Sequence, residues 1–485
     1  MNTSDFGTIY QTIIGRPRYR QSYFGAAFYD LDDGKVLYEH KADGIFLGAS
    51  TTKLPTVATA LAVLGPEFRF QTVVKHTGHI ADGTTLEGDL VLVAAGDPNL
   101  SGRITAEDTL AFTNPDHALA TAGESPVLGD PLFVMRKLAR AIADTGITRI
   151  TGRVCVDVSL FPEAIVVNDN LIDLTARGGS AAGESISIAV WPATSYVTFV
   201  CEAITGGSEL ALTLSHDDID ESSEKQRVRI SGTLPVGISS HCPVVVRSPR
   251  AFARTVFVEM LAECGISLEG ALLGPSLYTD GAAALAPDVL AEHLSPPFSE
   301  AAKVILKVSQ NLHAELCPRI IGATVDGVRG ADAAEAGYGH IRRFLSEQGL
   351  AADGIVQGDA SGAEGYFTPH FMCRLLLAIA HHPIGSALRF GLPVLGRDGT
   401  LSSIIPDSAA AGHVVAKTGT IAITDRVHKR IFVGAKGLAG YIHAASGRHI
   451  AFTVYVNNVV LEPGESYDLV GEMLGNIAAA AYETM

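Results

Sequence analysis

The sequence predicts an α+β multidomain protein: strands from both chain ends join in one sheet accompanied by helices, with a long strand-rich segment inserted in the middle. Three observations predict it. Strand patterns stand near both termini, at 23–38 and at 438–456. Helical apolar spacing recurs beside them, at 57–64, 297–321, 370–382 and after Pro463. Between them, from 70 to 290, short strands alternate with turn residues.

The elements follow in order. Residues 23–29 are strand-like, Asp32-Asp33-Gly34 has turn chemistry, and Val36-Leu37-Tyr38 resumes the strand, so the first ordered unit is expected to be a hairpin. Gly48-Ala49-Ser50-Thr51-Thr52-Lys53 leads into the Ala/Leu-rich run 57–64, expected to be a buried helix with Ser50 near its N-terminal end. Pro55 is compatible because it falls in or near the first turn. Strands are expected at 90–93, 154–158, 197–200 and 227–230, with the acidic stretch 215–226 as an exposed loop. Residues 252–264 have helical spacing. Strands 438–443 and 450–456 flank the turn Ala445-Ser446-Gly447-Arg448, and a closing helix follows Pro463. There is no internal repeat and no low-complexity segment.

Composition narrows the function classes. The 485 residues include 36 Lys and Arg against 52 Asp and Glu, a formal charge of −16. Phosphate recognition needs clustered cations, so a nucleic-acid partner is excluded. Hydrophobic residues at 47% and charged residues at 18% indicate a globular chain. Mean hydropathy is +0.25, but it comes from dispersed apolar residues, many of them Ala, and not from long apolar runs. No apolar run reaches the ~18 residues of a spanning helix. The first twenty residues lack the basic start and apolar stretch of a secretory signal, which implies either a cytoplasmic protein or an export segment outside this chain. The six cysteines (Cys155, Cys201, Cys242, Cys264, Cys317, Cys373) form no CxxC pair and no zinc spacing, so buried free thiols are expected. No phosphate loop and no HExxH metal helix is present. No cofactor or metal is expected.

Chemistry begins at Ser50 and Lys53. At i and i+3 on a helix they share a face, and helix-terminal N–H groups lie close to the serine. A serine nucleophile needs a base, and a desolvated lysine beside another cation can serve. Alone this spacing is a weak signal, because Ser222 and Lys225 match it too, inside the polar loop. Two further triplets strengthen it. Ser309-Gln310-Asn311 opens an apolar helical segment, and Lys417-Thr418-Gly419 follows the strand Val414-Val415-Ala416. S-x-x-K, S-D-N and K-T-G, in that order, are the signature set of penicillin-binding proteins and class A β-lactamases. Here Gln310 replaces the Asp.

On these residues the chain resembles the class C low-molecular-mass penicillin-binding proteins, the D-alanyl-D-alanine carboxypeptidase/endopeptidase family. Further stretches carry the likeness: Gly88-Asp89-Leu90, Gly96-Asp97-Pro98, Asp359-Ala360-Ser361-Gly362, Leu392-Pro393-Val394, Gly396-Arg397-Asp398-Gly399-Thr400 and Leu438-Ala439-Gly440-Tyr441. The likeness is clear over 20–100 and 300–460 and diffuse between 100 and 290. The long separation of Lys53 from Ser309 fits a family with inserted domains there. The resemblance implies a penicillin-binding-protein/serine β-lactamase-like core, a five-stranded antiparallel sheet between helices, with two inserted, mainly β domains. The expected boundaries are 1–68 plus 285–485 for the catalytic domain, 69–184 plus 246–284 for one insertion and 185–245 for the other.

The resemblance also implies roles. Ser50 is the expected nucleophile on a D-Ala-D-Ala carbonyl and Lys53 its base. Ser309 and Lys417 relay the proton to the leaving amine, and Asn311 holds the substrate's amide side chain. The Ser50 and Thr420 N–H groups form the oxyanion hole. Thr418 and Thr420, beside Gly419, bind the terminal carboxylate with Lys417 supplying charge. Lys53 and Lys417 in one pocket are expected to depress each other's pKa. The implied activity is a serine DD-peptidase on peptidoglycan peptides, acylated by β-lactams and located outside the cytoplasm. A β-lactamase-like esterase or a D-amino-acid peptidase or amidase on the same core is the alternative; the Ser at 309, where such esterases usually carry Tyr, argues against the esterase.

Two departures stand out. Residues 421–435, with the basic island Asp425-Arg426-Val427-His428-Lys429-Arg430, intervene before Leu438-Ala439-Gly440-Tyr441, as a solvated hairpin tip or as a lip for an anionic part of the substrate. The aromatic segment by which the family reads the stem peptide's side chain has no convincing match. At the places to look, Asn168-Asp169-Asn170 and Thr194-Ser195-Tyr196-Val197, Tyr196 is the only aromatic and is expected to pack on its sheet. Asp97 and Asp398 are expected to brace their own turns, and His381-His382 to be a solvated helix end.

Overall fold

Apolar residues crowd the strands near both termini, and the computed structural model buries them in a five-stranded antiparallel sheet. The structure describes residues 3–119, 129–216, 224–272, 285–350 and 352–485. Strands β1 (Tyr23–Asp30), β2 (Val36–His40), β3 (Val414–Asp425), β4 (Arg430–His443) and β5 (His449–Val460) lie in the order β2-β1-β5-β4-β3. The N-terminal hairpin therefore docks on the last strand of the chain, with Phe28 opposite Phe452 and Ala26 opposite Val454. Strand β5 is apolar on both faces because it is covered on both.

One face is covered by α1 (Thr3–Ile14) and α6 (Asp468–Thr484), which join Phe24, Phe28, Phe452, Val454 and Val456 in one core. Helix α5 (Pro369–His381) lies on the other, where the Tyr441 hydroxyl donates to the Leu376 carbonyl at 2.8 Å. Helix α1 corrects the expectation that order begins with the hairpin. Phe6, Tyr10 and Ile13 recur at helical spacing and are buried, with the Phe6 ring edge-on to Phe28 at 4.8 Å.

The helical pattern 297–321 is two helices, α3 (Phe298–Lys307) and α4 (Asn311–Val325), with Ser309 at the break. The six cysteines are free, but only Cys155, Cys317 and Cys373 are buried; Cys201 is exposed, against expectation. Cys201 is the last residue of Val197–Cys201, an edge strand of its sheet.

The chain divides into two compact units. The first comprises Met1–Phe68, Phe298–Val328 and Asp332–Met485, and holds the five-stranded sheet; the second is Arg69–Pro297 with Arg329–Ala331. Among the described residues the second unit carries four small sheets. One, centred on Gln226–Leu234, lies wholly within 185–245, whereas the sheet of Ser187–Trp191 and Ser239–Val245 is completed by Leu171–Arg177. Much of the acidic stretch 215–226, including Ser222, lies outside the described residues. At its end Glu224 is paired with Arg250 and Arg254, and Gln226 is buried.

Candidate active site

Helix α2 (Lys53–Leu64) is entered through a short 3-10 turn, Ala49–Thr52, that carries Ser50. The turn is tied by its own hydroxyls: Thr51 donates to the Gly48 carbonyl and Thr52 to the Ala49 carbonyl, both at 2.8 Å. Ala49 has φ 48, a left-handed conformation unusual for a residue with a Cβ. Such backbone costs about 1 kcal/mol or more and is concentrated where function over-determines geometry. Lys53, the first residue of α2, is fully buried. Its Nζ lies 3.0 Å from Ser50 Oγ, 2.7 Å from Asn311 Oδ1 and 2.7 Å from the Ser361 carbonyl oxygen.

The second triplet sits at the break between α3 and α4. Ser309 is also left-handed, with φ 63. Gln310 caps α4, its Oε1 accepting from the Leu312 N–H at 2.8 Å, so the amide performs the helix-capping task open to an Asp at this position. Lys417, buried on β3, donates to Ser309 Oγ and to its neighbour's carbonyl at Thr418, both at 2.9 Å. Burial drives the Lys417 pKa well below the usual lysine value, and the charges of Lys53 and Lys436 push the same way. The convergence of two lysines is thus physical, with a third cation not foreseen. Lys436 stands opposite Thr420 across the β3–β4 ladder, its Nζ 5.0 Å from the Tyr467 ring centre. Burial lowers it to about 8, against the pull of Asp468.

Strand β3 brings Thr418, Gly419 and Thr420 to the turn that carries Ser50. A Cβ on Gly419 would stand 2.4 Å from the Gly48 carbonyl oxygen and 3.3 Å from the Ser50 nitrogen, so only glycine allows this approach. The Thr418 hydroxyl meets that of Thr400 at 2.8 Å. The structure thus gathers Ser50, Lys53, Ser309, Asn311, Lys417, Thr418, Gly419 and Thr420 in the first unit. Sequence reasoning gave no role to Ser361, Thr400 or Lys436. Gly399-Thr400 and Asp359-Ala360-Ser361-Gly362 were visible as stretches of likeness, but a carbonyl acceptor leaves no side-chain signature.

The remaining candidates are structural. Asp97 Oδ1 accepts from the Asn99 N–H, and Asp398 accepts from the Val394 N–H, both at 2.8 Å; Asp398 also pairs with Lys307 at 2.6 Å. Nε2 of His381 lies 3.2 Å from the Leu31 carbonyl oxygen. Tyr196 is fully buried against Phe252, its hydroxyl donating to Gln226 Oε1 at 3.2 Å. The 421–435 segment extends the β3–β4 hairpin to a tip at Asp425–Arg430. There Asp425 holds His428 and Arg430 at 2.9 and 3.0 Å, which keeps its carboxyl down at about 2. Among the described residues there is no group of three or more His, Cys, Asp or Glu arranged to hold a metal ion, and no single helix is long and apolar enough to cross a membrane.

The chain is similar to known D-alanyl-D-alanine carboxypeptidases. The chain is 28% identical over 484 residues to a D-alanyl-D-alanine carboxypeptidase from Actinomadura sp. (strain R39), covering 92% of this chain and 79% of that one. It is 24% identical over 437 residues to the D-alanyl-D-alanine carboxypeptidase DacB of Haemophilus influenzae, covering 88% and 84%. The fold matches the crystal structure of penicillin binding protein 4 (dacB) from H. influenzae over 100% of both chains, with a TM-score of 0.74 at 21% identity. The model of the D-Ala-D-Ala carboxypeptidase 3 (S13) family matches residues 9–475, and the chain belongs to that family of serine-type hydrolases.

Proposed function

We propose that this serine DD-peptidase works through an acyl-enzyme on Ser50. Ser50 Oγ attacks the carbonyl carbon of a D-Ala-D-Ala peptide bond while Lys53 Nζ takes the hydroxyl proton. The C–N bond then breaks, and the proton reaches the departing amine through Ser309 Oγ and Lys417. Water hydrolyses the resulting ester and frees Ser50. The Ser50 and Thr420 N–H groups face the developing oxyanion, each worth about 3 kcal/mol in such sites. Thr418 and Thr420 hold the terminal carboxylate near the Lys417 charge, and Asn311 holds the substrate's amide side chain. The observation that carries this reading is the 3.0 Å contact of Lys53 with Ser50, set beside a second lysine–serine pair at 2.9 Å.

The substrates are peptidoglycan stem peptides, and the enzyme acts outside the cytoplasm, where that polymer lies. β-Lactams mimic the same bond and acylate Ser50; a crystal structure of the H. influenzae protein holds a β-lactam. Mass spectrometry after incubation with a labelled penicillin is expected to place one adduct on the Ser50 peptide. Folded protein without an adduct there refutes the assignment, and a Ser50→Ala variant that still released D-alanine would refute the mechanism.

The hairpin tip is a solvated end rather than part of the reaction centre. Its carboxylate at Asp425 already occupies His428 and Arg430. Replacing Arg426–Lys429 by an Asn-Gly turn keeps the final Asp425–Arg430 pair of the ladder. Exposed tips tolerate such change, so kcat/KM is expected to stay within about twofold both on peptidoglycan fragments and on a minimal D-Ala-D-Ala peptide. A tenfold loss would instead make the tip a substrate lip.

A further inference from the structure

A neutral amine has two N–H bonds and one lone pair. It acts as a base only when the lone pair faces the proton to be taken. Around Lys53 Nζ stand two oxygens that can only accept, Asn311 Oδ1 and the Ser361 carbonyl, each at 2.7 Å. With its N–H bonds given to them, the amine turns its lone pair to the Ser50 hydroxyl at 3.0 Å. One of the two acceptors is set by helix α4. The other belongs to a bend between the strands Ile355–Gln357 and Gly365–Phe367, so something must hold it.

Asp359 holds it. Its Oδ1 accepts from the Gly362 N–H at 2.6 Å, and its Oδ2 from the Ala363 and Glu364 N–H groups at 2.7 and 3.0 Å. The intervening peptide is clamped too: Glu315 Oε1 accepts from the Ala360 N–H at 3.2 Å, and the Thr56 hydroxyl donates to the Ala360 carbonyl at 3.3 Å. Gly362 completes the fit. Its φ is +118, and a Cβ there would fall 2.1 Å from the Ala49 carbonyl oxygen and 2.8 Å from the Ser50 nitrogen. The bend therefore lies directly against the nucleophile's backbone, with its carbonyl aimed at the base.

We propose that Asp359 is a positioning residue for acylation: by fixing the Ser361 carbonyl it orients the Lys53 amine toward the Ser50 hydroxyl. The proposal rests on the Ser50–Lys53 roles above. The test is single-turnover acylation of the full chain by a fluorescent penicillin, which separates the noncovalent Kd, the acylation rate constant and the amplitude. Misplacing a reacting group by an ångström costs up to about 100-fold, so Asp359→Ala is expected to lower the rate constant about 10- to 100-fold with Kd unchanged. Asp359→Asn keeps one acceptor oxygen and the side-chain volume, and is expected to lower it by a smaller factor. A merely structural role would reduce the amplitude and the Tm and leave the rate constant of the folded fraction at the wild-type value. A wild-type rate constant in Asp359→Asn, or in a folded Asp359→Ala, overturns the proposal. Failure of the wild-type protein to acylate at Ser50 overturns instead the serine-peptidase roles on which it rests.

Discussion

Lys53→Met is expected to lower the rate constant for acylation of Ser50 by about 10²- to 10⁴-fold, the range that a positioned general base supplies. The effect is chemical because the substitution keeps the packing. Lys53 is fully buried, and methionine fills nearly the same volume with an unbranched chain. The effects on stability oppose each other. Two acceptor oxygens, Asn311 Oδ1 and the Ser361 carbonyl, lose their donor, at about 1–3 kcal/mol for each one left without a partner. Against that, a buried amine no longer has to be desolvated. The Tm is therefore expected to move little while acylation slows by that factor. Lys53→Arg is expected not to rescue the rate, because a guanidinium stays protonated and has no lone pair to offer. Stopped-flow acylation by a labelled penicillin and D-alanine release from a model peptide measure both. Near-normal rates in Lys53→Met would move the base role to Lys417, which burial and the charge of Lys436 still depress in that variant.

What was legible in the sequence, and what was not, follows from the range of each interaction. Ser50 and Lys53 share one turn, Ser309 and Asn311 one helix start, and Lys417 to Thr420 one strand, so each motif is a local pattern. Their order along the chain supplied the long-range assembly that spacing alone lacks. The sheet was legible in the same way, because Phe452, Val454 and Val456 alternate with residues buried on the opposite face. Helix α1 carried its signal in Phe6, Tyr10 and Ile13, but short polar neighbours such as Thr8 and Gln11 diluted it. The stretch Asp359-Ala360-Ser361-Gly362 was visible, but its roles were not, because Ser361 acts through its carbonyl and the Asp359 carboxylate bonds only to backbone N–H groups. Lys436 was missed because its relation to Thr420 is a ladder register between two strands, which no motif records. The second unit hid most, since its polar groups meet across wide separations in the chain.

Those groups carry the second large effect: Asp169→Ala is expected to destabilise the second unit by about 3–5 kcal/mol, the usual result of removing one member of a buried ion pair. Asp169 Oδ2 accepts from Arg103 Nη2 at 2.6 Å and from His117 Nδ1 at 2.8 Å, while His117 Nε2 donates to Asp173 Oδ1 at 2.8 Å. The side chains of Asp169 and His117 are wholly buried and that of Arg103 almost so. With both ring nitrogens facing carboxylates, His117 is the imidazolium. Burial by itself would lower its pKa, but the bonds to Asp169 and Asp173 prevail and raise it to about 9. Removing Asp169 leaves two buried cations short of a counter-charge. Arg103→Met removes one of them together with its pair, and is expected to cost less. The pH dependence gives an independent reading. A histidine raised from 6.5 to about 9 on folding holds its proton in the native state where the unfolded chain has lost it. Its stabilisation is therefore full below pH 6.5 and lost as the pH rises toward 9, about 3 kcal/mol in all. Denaturant unfolding at pH 6, 7.5 and 9 tests this. The wild-type protein is expected to lose stability across that range, and His117→Asn, unable to carry the charge, to lose much less. Parallel curves for the two proteins would mean that His117 is neutral in the fold and that Arg103 alone balances Asp169.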